Sequence, residues 1–550
     1  MHTRRRFLSL SAGTIAVVAS GAGLAACSAA QGRSDSGDAG PPRAGGTLTV
    51  AEPTSPIGWD PHVGTEDLLG LILRPVFDSL VAQKADGTFA PWLATSWTIS
   101  PDGLNYTFVL REDVTFTDGT PFDAAAVQAN LEHVVAPSTA SRYAKSLLGP
   151  YSATTVLDAH TVRITLSRPY SQFLQAVSST YLGFHSPKAL REHPNDLGAG
   201  GRHTVTTGAF TFDSVTQGQQ AVFKRRPDYK WGPGSANHTG PAYLDGFTVM
   251  FVLDDQTRVG AATSGQVDIA DQVPASQLVV VRDAGSVNLV SRDSPGAPFS
   301  YYMNTRRPLF SDVNARKVLL HGVDVAGITR GLFQSQYAPA TSVLSSSTRD
   351  FADQSGQLGY HPDQAESLLA TLGYTGRDGA GYRTKNGQRF TVQLPFATAN
   401  TTDERRAFNT AVQDGLKKIG VDLVLTELDA PTYINRARAG DYDLSAIAWG
   451  GSDGAVLWNL FYSKNLVPAG GANVSWVDDA TLDSLLTGAE NTVEPAEQRR
   501  FYQQAQARVI AQAYSLPTYV AKRSLAVRPV VHDFGFDAAG WPFIYDIWRG

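Results

Sequence analysis

From Gly46 onward the chain shows two alternating signatures. Thr47-Leu48-Thr49-Val50-Ala51 alternates polar and apolar residues with the two-residue period of a half-buried strand. Similar runs recur at Tyr106 to Leu110, Thr161 to Leu166, Ala221 to Lys224 and Phe247 to Val252. Between them lie helical patterns. Asp123 to Val135 follows a Thr-Pro turn, Ser311 or Asp312 can cap a helix running to about His321, and Asp403 to Ile419 is a long amphipathic segment closed by Gly420. Gly420 leads directly into Val421 to Leu425, a helix-glycine-strand unit typical of α/β construction. Pro495 opens a last helix in which Phe501, Ala505 and Val509 recur every fourth residue. The pattern predicts a mixed α/β fold. About 500 folded residues exceed what one core supports, so more than one lobe is expected.

The N-terminal segment has neither signature. Arg4-Arg5-Arg6-Phe7-Leu8 precedes an uncharged stretch from Ser9 to Gly23 and then Leu24-Ala25-Ala26-Cys27. The arginines resemble a twin-arginine export motif, and Leu-Ala-Ala-Cys resembles the lipobox of bacterial lipoproteins, so residues 1 to 26 are expected to be a cleaved signal and Cys27 the lipidated N-terminus. The alternative is an uncleaved membrane helix over Phe7 to Ala26, which is long enough to span a bilayer core. Cys27, the single cysteine among 550 residues, favours lipidation and leaves the exported domain without a disulfide. Residues 27 to 45, rich in Ser, Ala, Gly, Pro and Asp, are expected to form a flexible tether. Residues 1 to 26 hold three arginines and no acids, so 43 basic face 51 acidic residues in the remainder, a net charge of −8. That balance argues against a nucleic-acid partner.

Several blocks together resemble the extracellular solute-binding proteins of peptide and nickel import systems, family 5. Gly45 to Val50 with Trp59-Asp60-Pro61 is similar to the family's opening strand, and Phe77-Asp78-Ser79-Leu80-Val81 to the segment after it. Pro91 to Trp97, Asp102-Gly103-Leu104, Tyr106-Thr107-Phe108, Leu110-Arg111, Phe116, Asp118 to Phe122 and Ala126-Val127 follow the family signature nearly position by position. Thr207 to Phe210, Arg226 to Tyr229, Gly265 to Asp268, Tyr302-Met303-Asn304, Asn314 to Lys317, Val323-Asp324, and Tyr442-Asp443-Leu444 with Trp449 continue the similarity along the folded chain. The resemblance implies a bilobed periplasmic-binding-protein-like clamp of type II with the extra domain of the peptide-binding group. On that reading residues 46–82, 205–295 and 521–548 form the main lobe, 83–204 the extra domain and 296–520 the second lobe. It also implies a monomeric receptor, held at the extracytoplasmic face of the membrane by its lipid, that captures an oligopeptide or similar small solute and delivers it to an ABC permease and its ATPase. A solute sensor with the same clamp is the alternative within that resemblance.

The same likeness nominates ligand contacts. Asp453 follows the Trp-containing strand where peptide-binding relatives place a carboxylate for the ligand's ammonium, here with an extra glycine in Gly450-Gly451; the alternative is a solvated turn aspartate. Trp449, Trp458 and Tyr462 can line a side-chain pocket or belong to the core. Asn304, Tyr302 and Trp59 lie in segments that reach the cleft in relatives. A reading from another class is a secreted serine hydrolase, because Gly450-Gly451-Ser452-Asp453-Gly454 fits G-x-S-x-G, with Ser452 as nucleophile, His532 as base and Asp483 or Asp533 as its orienter. No HGGG-type segment supports it. Eleven histidines occur without H-E-x-x-H or short paired spacing, so no metal is expected, and His62 is expected at the surface or in the cleft. Dinucleotide and P-loop fingerprints are absent, so no cofactor is expected and transport energy would come from another subunit.

Overall fold

The computed structural model describes residues 40–334, 336–398, 401–469 and 471–550. The export signal, Cys27 and most of the tether lie outside these. A seven-stranded sheet collects distant segments, in the order Asn288–Asp293, Lys522–Val527, Ile269–Ala270, Thr47–Glu52, Gly246–Phe251, Gln220–Arg225 and Phe210–Thr216. Its centre is parallel, with Thr47–Glu52 between Gly246–Phe251 and Ile269–Ala270, and its flanks are antiparallel. The alternating runs found in the sequence are therefore real strands: residues 105–110, 161–166, 220–225 and 246–251.

The predicted helices form with identifiable caps. Asp123 caps Ala124–Val135 through the amide of Ala126, Asp312 caps Val313–Gly322 through Asn314, and Thr402 caps Asp403–Lys418 through Arg405. Gly420, at φ +86°, ends the last of these and starts Asp422–Leu428, which runs parallel to Thr391–Ala397. In Pro495–Ala511 the buried face is Tyr502, Ala505, Gln506, Val509 and Ile510, with Phe501 half-buried at its edge.

A second, four-stranded sheet has the order Ala338–Pro339, Ser515–Val520, Gly296–Met303, Leu444–Gly450. The chain passes between the two large sheets along adjacent strands. Asn288–Asp293 continues into Gly296–Met303, and Ser515–Val520 continues through Ala521 into Lys522–Val527. The Ser294 amide donates to the Ala521 carbonyl at 2.9 Å, tying the crossings together. A third sheet, Ala94–Ile99, Asn105–Leu110, Thr161–Leu166 and Tyr151–Asp158, is covered by Ala124–Val135.

Apolar packing divides these bodies unequally. One cluster runs without a break from Leu48, Val50 and Phe247 of the seven-stranded sheet into Phe108, Val162 and Leu131 of the third. The second sheet has cores of its own, around Phe299, Leu319 and Phe408 and around Leu457, Leu486 and Val509. Residues of the third-sheet region instead meet the second-sheet region through polar groups. Arg168 pairs with Glu490 at 3.1 Å, Ser171 donates to the carbonyls of Glu490 and Ala489, and the Gln175 amide donates to Ser452 at 2.8 Å. A core seam resists opening, whereas such a polar seam exchanges its partners for water at small net cost.

Two outcomes follow. Gly296 sits at φ +112°, and a Cβ there would stand 2.1 Å from the carbonyl oxygen of Trp449, so Gly296→Ala should lower stability by about 1–3 kcal/mol in urea denaturation. Burial raises the Glu490 carboxyl to about 7 against the opposing pull of Arg168. Raised in the folded state, it stabilises most below its unfolded value, and that stability is lost as pH rises through about 7. Glu490→Gln should therefore remove a decline on the order of 2–3 kcal/mol between pH 4 and pH 8, read as the difference between mutant and parent urea curves.

Candidate ligand site between the lobes

Leu444–Gly450 is the last strand of its sheet, paired on one side with Gly296–Met303. Its end is open: Ala448, Trp449 and Gly450 are exposed, with Trp449 at 38%. A Cβ built on Gly450 would stand 3.7 Å from Oδ2 of Asp67, at the start of the main-lobe helix Asp67–Leu73, so the two lobes face each other here across one side chain.

Behind the strand end lies Asp453, 1% exposed. Its carboxylate accepts from Arg349 Nη2 at 2.9 Å and from the Ala455 amide at 3.0 Å. Asp350, also buried, accepts from the Gly454 amide at 3.2 Å and lies 3.7 Å from Arg499. Burial raises the Asp453 carboxyl above its ordinary range, Arg349 opposes this, and Asp350 adds to it. Asp453 is thus an enclosed carboxylate whose resident cation is a guanidinium that is still 22% accessible.

The other nominated residues divide by environment. Trp458 and Tyr462 stack at 3.7 Å, with the Arg168 guanidinium 6.0 Å above Trp458, which places the pair on the polar seam. Tyr302 is sealed against Phe461. Asn304 is fully buried, its amide donating to the carbonyls of Gly440 and Tyr442 at 3.0 Å. Trp59 packs edge-on to Phe212, ring centroids 4.9 Å apart. Ser452 Oγ accepts from Gln175 and donates to Gln83, while His532 stacks on Trp548. Asp483 accepts from Ser463 and Asp533 from Trp548, so no hydrogen bond among the described residues assembles the hydrolase triad.

His62 departs from the sequence expectation. It is buried, its Nε2 bonding the Gly183 carbonyl at 2.8 Å and its Nδ1 facing His133 Nδ1 at 3.0 Å. Burial pushes it down to about 3, so it is a neutral link between the main lobe and the third-sheet region. Asp60, His62 and His185 bring potential metal-ligand atoms within 4.8 Å of one another, as do the more exposed His193, Asp196 and His203. Neutral tautomers satisfy the His62 contacts without an ion.

The sequence reading missed the main-lobe wall. Period two along Thr47–Glu52 puts Glu52 on the same face as Leu48 and Val50, and that apolar register was the available signal. Asp271 lies one step beyond the Ala51–Ala270 pair on the neighbouring strand, and Arg523 stands on the next strand, its Nε 3.1 Å from Asp271 Oδ1. Arg349 carried no signal, being 104 positions from Asp453.

Comparison with known proteins accords with this architecture. The family model described as bacterial extracellular solute-binding proteins, family 5 Middle, matches residues 88–466. The glutathione-binding protein GsiB of Escherichia coli O1:K1 is 28% identical over 473 residues, covering 84% of this chain and 86% of the relative. NikA from Brucella suis, solved in complex with Fe(III)-EDTA, superposes with a TM-score of 0.80 at 24% identity, covering 92% of this chain and all of NikA. The oligopeptide-binding protein AppA from Bacillus subtilis, solved with a nonapeptide, gives 0.75 at 18% identity, covering 93% of this chain and all of AppA. With the match spanning well over half of its length, the chain belongs to the bacterial extracellular solute-binding proteins, family 5.

Proposed function

We propose that this protein is the substrate-binding lipoprotein of an ABC importer, capturing a short peptide or a peptide-like solute between its lobes and delivering it to a membrane permease. The observation that carries this reading is the open end of Leu444–Gly450, with Ala448 to Gly450 exposed and backed by the Arg349–Asp453 pair. An extended peptide adds to such a strand end through main-chain hydrogen bonds. The buried pair then offers a cation and an anion to a zwitterion's two ends, each worth more than in water because the site is enclosed. The GsiB and AppA names, glutathione-binding and oligopeptide-binding, support the same ligand class.

Closing the second lobe onto the main lobe and its attached third-sheet region would form the polar contacts of Ser452, Ser171 and Glu490 around the ligand. Ligand that touches both lobes shifts the equilibrium toward this form, which the permease would recognise. Anchoring through Cys27 keeps the receptor beside that permease and places it at the extracytoplasmic membrane face. Trp449 gives the ligand an aromatic wall, with Trp458 and Tyr462 on the seam beyond it.

Native mass spectrometry of the protein purified from its producing cells should show it carrying peptide-range masses; a bare protein that also fails to bind glutathione and tripeptides in calorimetry would refute the reading. In a ligand found this way, Asp453→Asn should weaken binding by about 2–5 kcal/mol, the cost of truncating one member of a buried charge pair. Unchanged affinity would remove Asp453 from the site. Ligand addition should also blue-shift tryptophan emission, and Trp449→Phe should abolish most of that shift.

A further inference from the structure

Glu52 closes the central strand of the main-lobe sheet, at the carboxyl end where open α/β sheets place their ligands. Its side chain is fully buried, and neither carboxyl oxygen has a hydrogen-bond donor. A buried acceptor with no donor is costly, so such a group calls for a reason. The charged groups facing it are Asp271, Arg523 and Arg258. Arg523 is already engaged by both oxygens of Asp271, which also accepts from the Gln272 amide. Arg258 is spent on Asp255 and on the carbonyls of Val252, Asp271 and Gln272. On the other side of Arg523 stands Asp67, whose carboxyl is raised by burial against the pull of Arg523 and which faces Gly450 across the cleft. Both guanidiniums are therefore spent on other acceptors, and Glu52 is left without a donor of its own.

We infer that Glu52, Asp67 and Asp271 form a cation-accepting subsite on the main-lobe wall that takes a protonated amine or guanidinium of the bound solute. The inference deepens the peptide reading and rests on it for the identity of the whole ligand. Burial first and the Asp271 charge second raise the Glu52 carboxyl well above its ordinary range, Arg523 and Arg258 only partly offset them, and the protonated form can donate to Asp271. When the ligand cation arrives, the Glu52 O–H bond breaks and the proton leaves to solvent. The carboxylate then accepts hydrogen bonds from the ligand N–H groups, and no other bond changes. Below the raised Glu52 value, binding a cationic solute therefore releases protons, and its affinity rises with pH. The Arg349–Asp453 pair on the opposite wall remains available for the backbone ends.

The test uses calorimetry on the purified protein with three tripeptides, Lys-Ala-Ala, Ala-Lys-Ala and Ala-Ala-Lys, each against its norleucine counterpart, which lacks only the side-chain ammonium. Repeating each titration in buffers of different ionisation enthalpy counts the protons released. The parent protein should prefer at least one lysine peptide by roughly tenfold to a hundredfold, the range for hydrogen bonds to a charged group, and release protons on binding it. Glu52→Gln, isosteric with the protonated acid and expected to keep the parent's thermal stability, should bring that ratio near one and abolish the release. Asp67→Asn should reduce the ratio without abolishing it. Equal binding of lysine and norleucine peptides, or an unchanged ratio in Glu52→Gln, overturns the subsite and leaves the peptide reading standing. If no peptide binds, arginine and cadaverine are the remaining probes. Their binding to the parent and loss in Glu52→Gln would retain the subsite and end the peptide reading, and failure of these probes as well would end both.

Discussion

Everything in this molecule depends on two adjacent strands that leave one sheet and enter another. Asn288–Asp293 and Gly296–Met303 form one crossing, Ser515–Val520 and Lys522–Val527 the other, and the Ser294 amide locks them side by side. Because each strand is pinned by ladder hydrogen bonds in both sheets, the sheets cannot separate, yet the few residues between ladders can absorb rotation. Ser347 and Thr348 reinforce the junction by bonding the Asp293 carbonyl and the Gly296 amide and carbonyl. Gly296 is required there because the Trp449 carbonyl occupies the space of any Cβ. The strand that ends in Trp449 is thus positioned by the crossing itself.

The distribution of apolar and polar contacts then decides which bodies move together. Phe108, Val162 and Leu131 share a continuous core with Leu48 and Phe247, so the third-sheet region and the seven-stranded sheet pack as one body. Its contacts to the second lobe include an ion pair and hydroxyl and amide hydrogen bonds, each worth about 1 kcal/mol or less net, and the Arg168 guanidinium over Trp458. Separating apolar surface would cost about 25 cal/mol per Å², a much larger sum over a comparable interface. A clamp needs this asymmetry, since a receptor with two apolar seams would stay shut without ligand.

Legibility in the sequence follows the same physics. Strands such as Thr47–Glu52 and Thr161–Leu166 were readable because one face is wet and the other dry, which writes a period of two into the residues. Helices were readable where a short polar side chain caps them, as Asp312 and Thr402 do, and where Gly420 takes a left-handed turn. Family blocks nominated Asn304 and Tyr302 as cleft residues, yet Asn304 spends its amide on the carbonyls of Gly440 and Tyr442, and a sequence motif cannot distinguish that bracing from ligand contact. Arg349 was invisible because its meaning exists only once Asp453, distant in sequence, folds beside it. His62 was misplaced for a related reason: its partners Gly183 and His133 come from other elements, and a lone histidine carries no mark of burial.

Glu52 shows where the two kinds of information meet. Its parity with Leu48 and Val50 assigns it to the dry face of the strand, which a pattern argument alone treats as an error. The register of the neighbouring strands shows how the exception is built, bringing Asp271 beside it and Arg523 next in line. Where the local pattern and the global fold disagree at the edge of a binding cleft, function is the usual reason for the disagreement. Near the end of Leu444–Gly450, Asp350 and Asp453 are enclosed in the same way, but there Arg349 and Arg499 supply two guanidiniums for the two carboxyls.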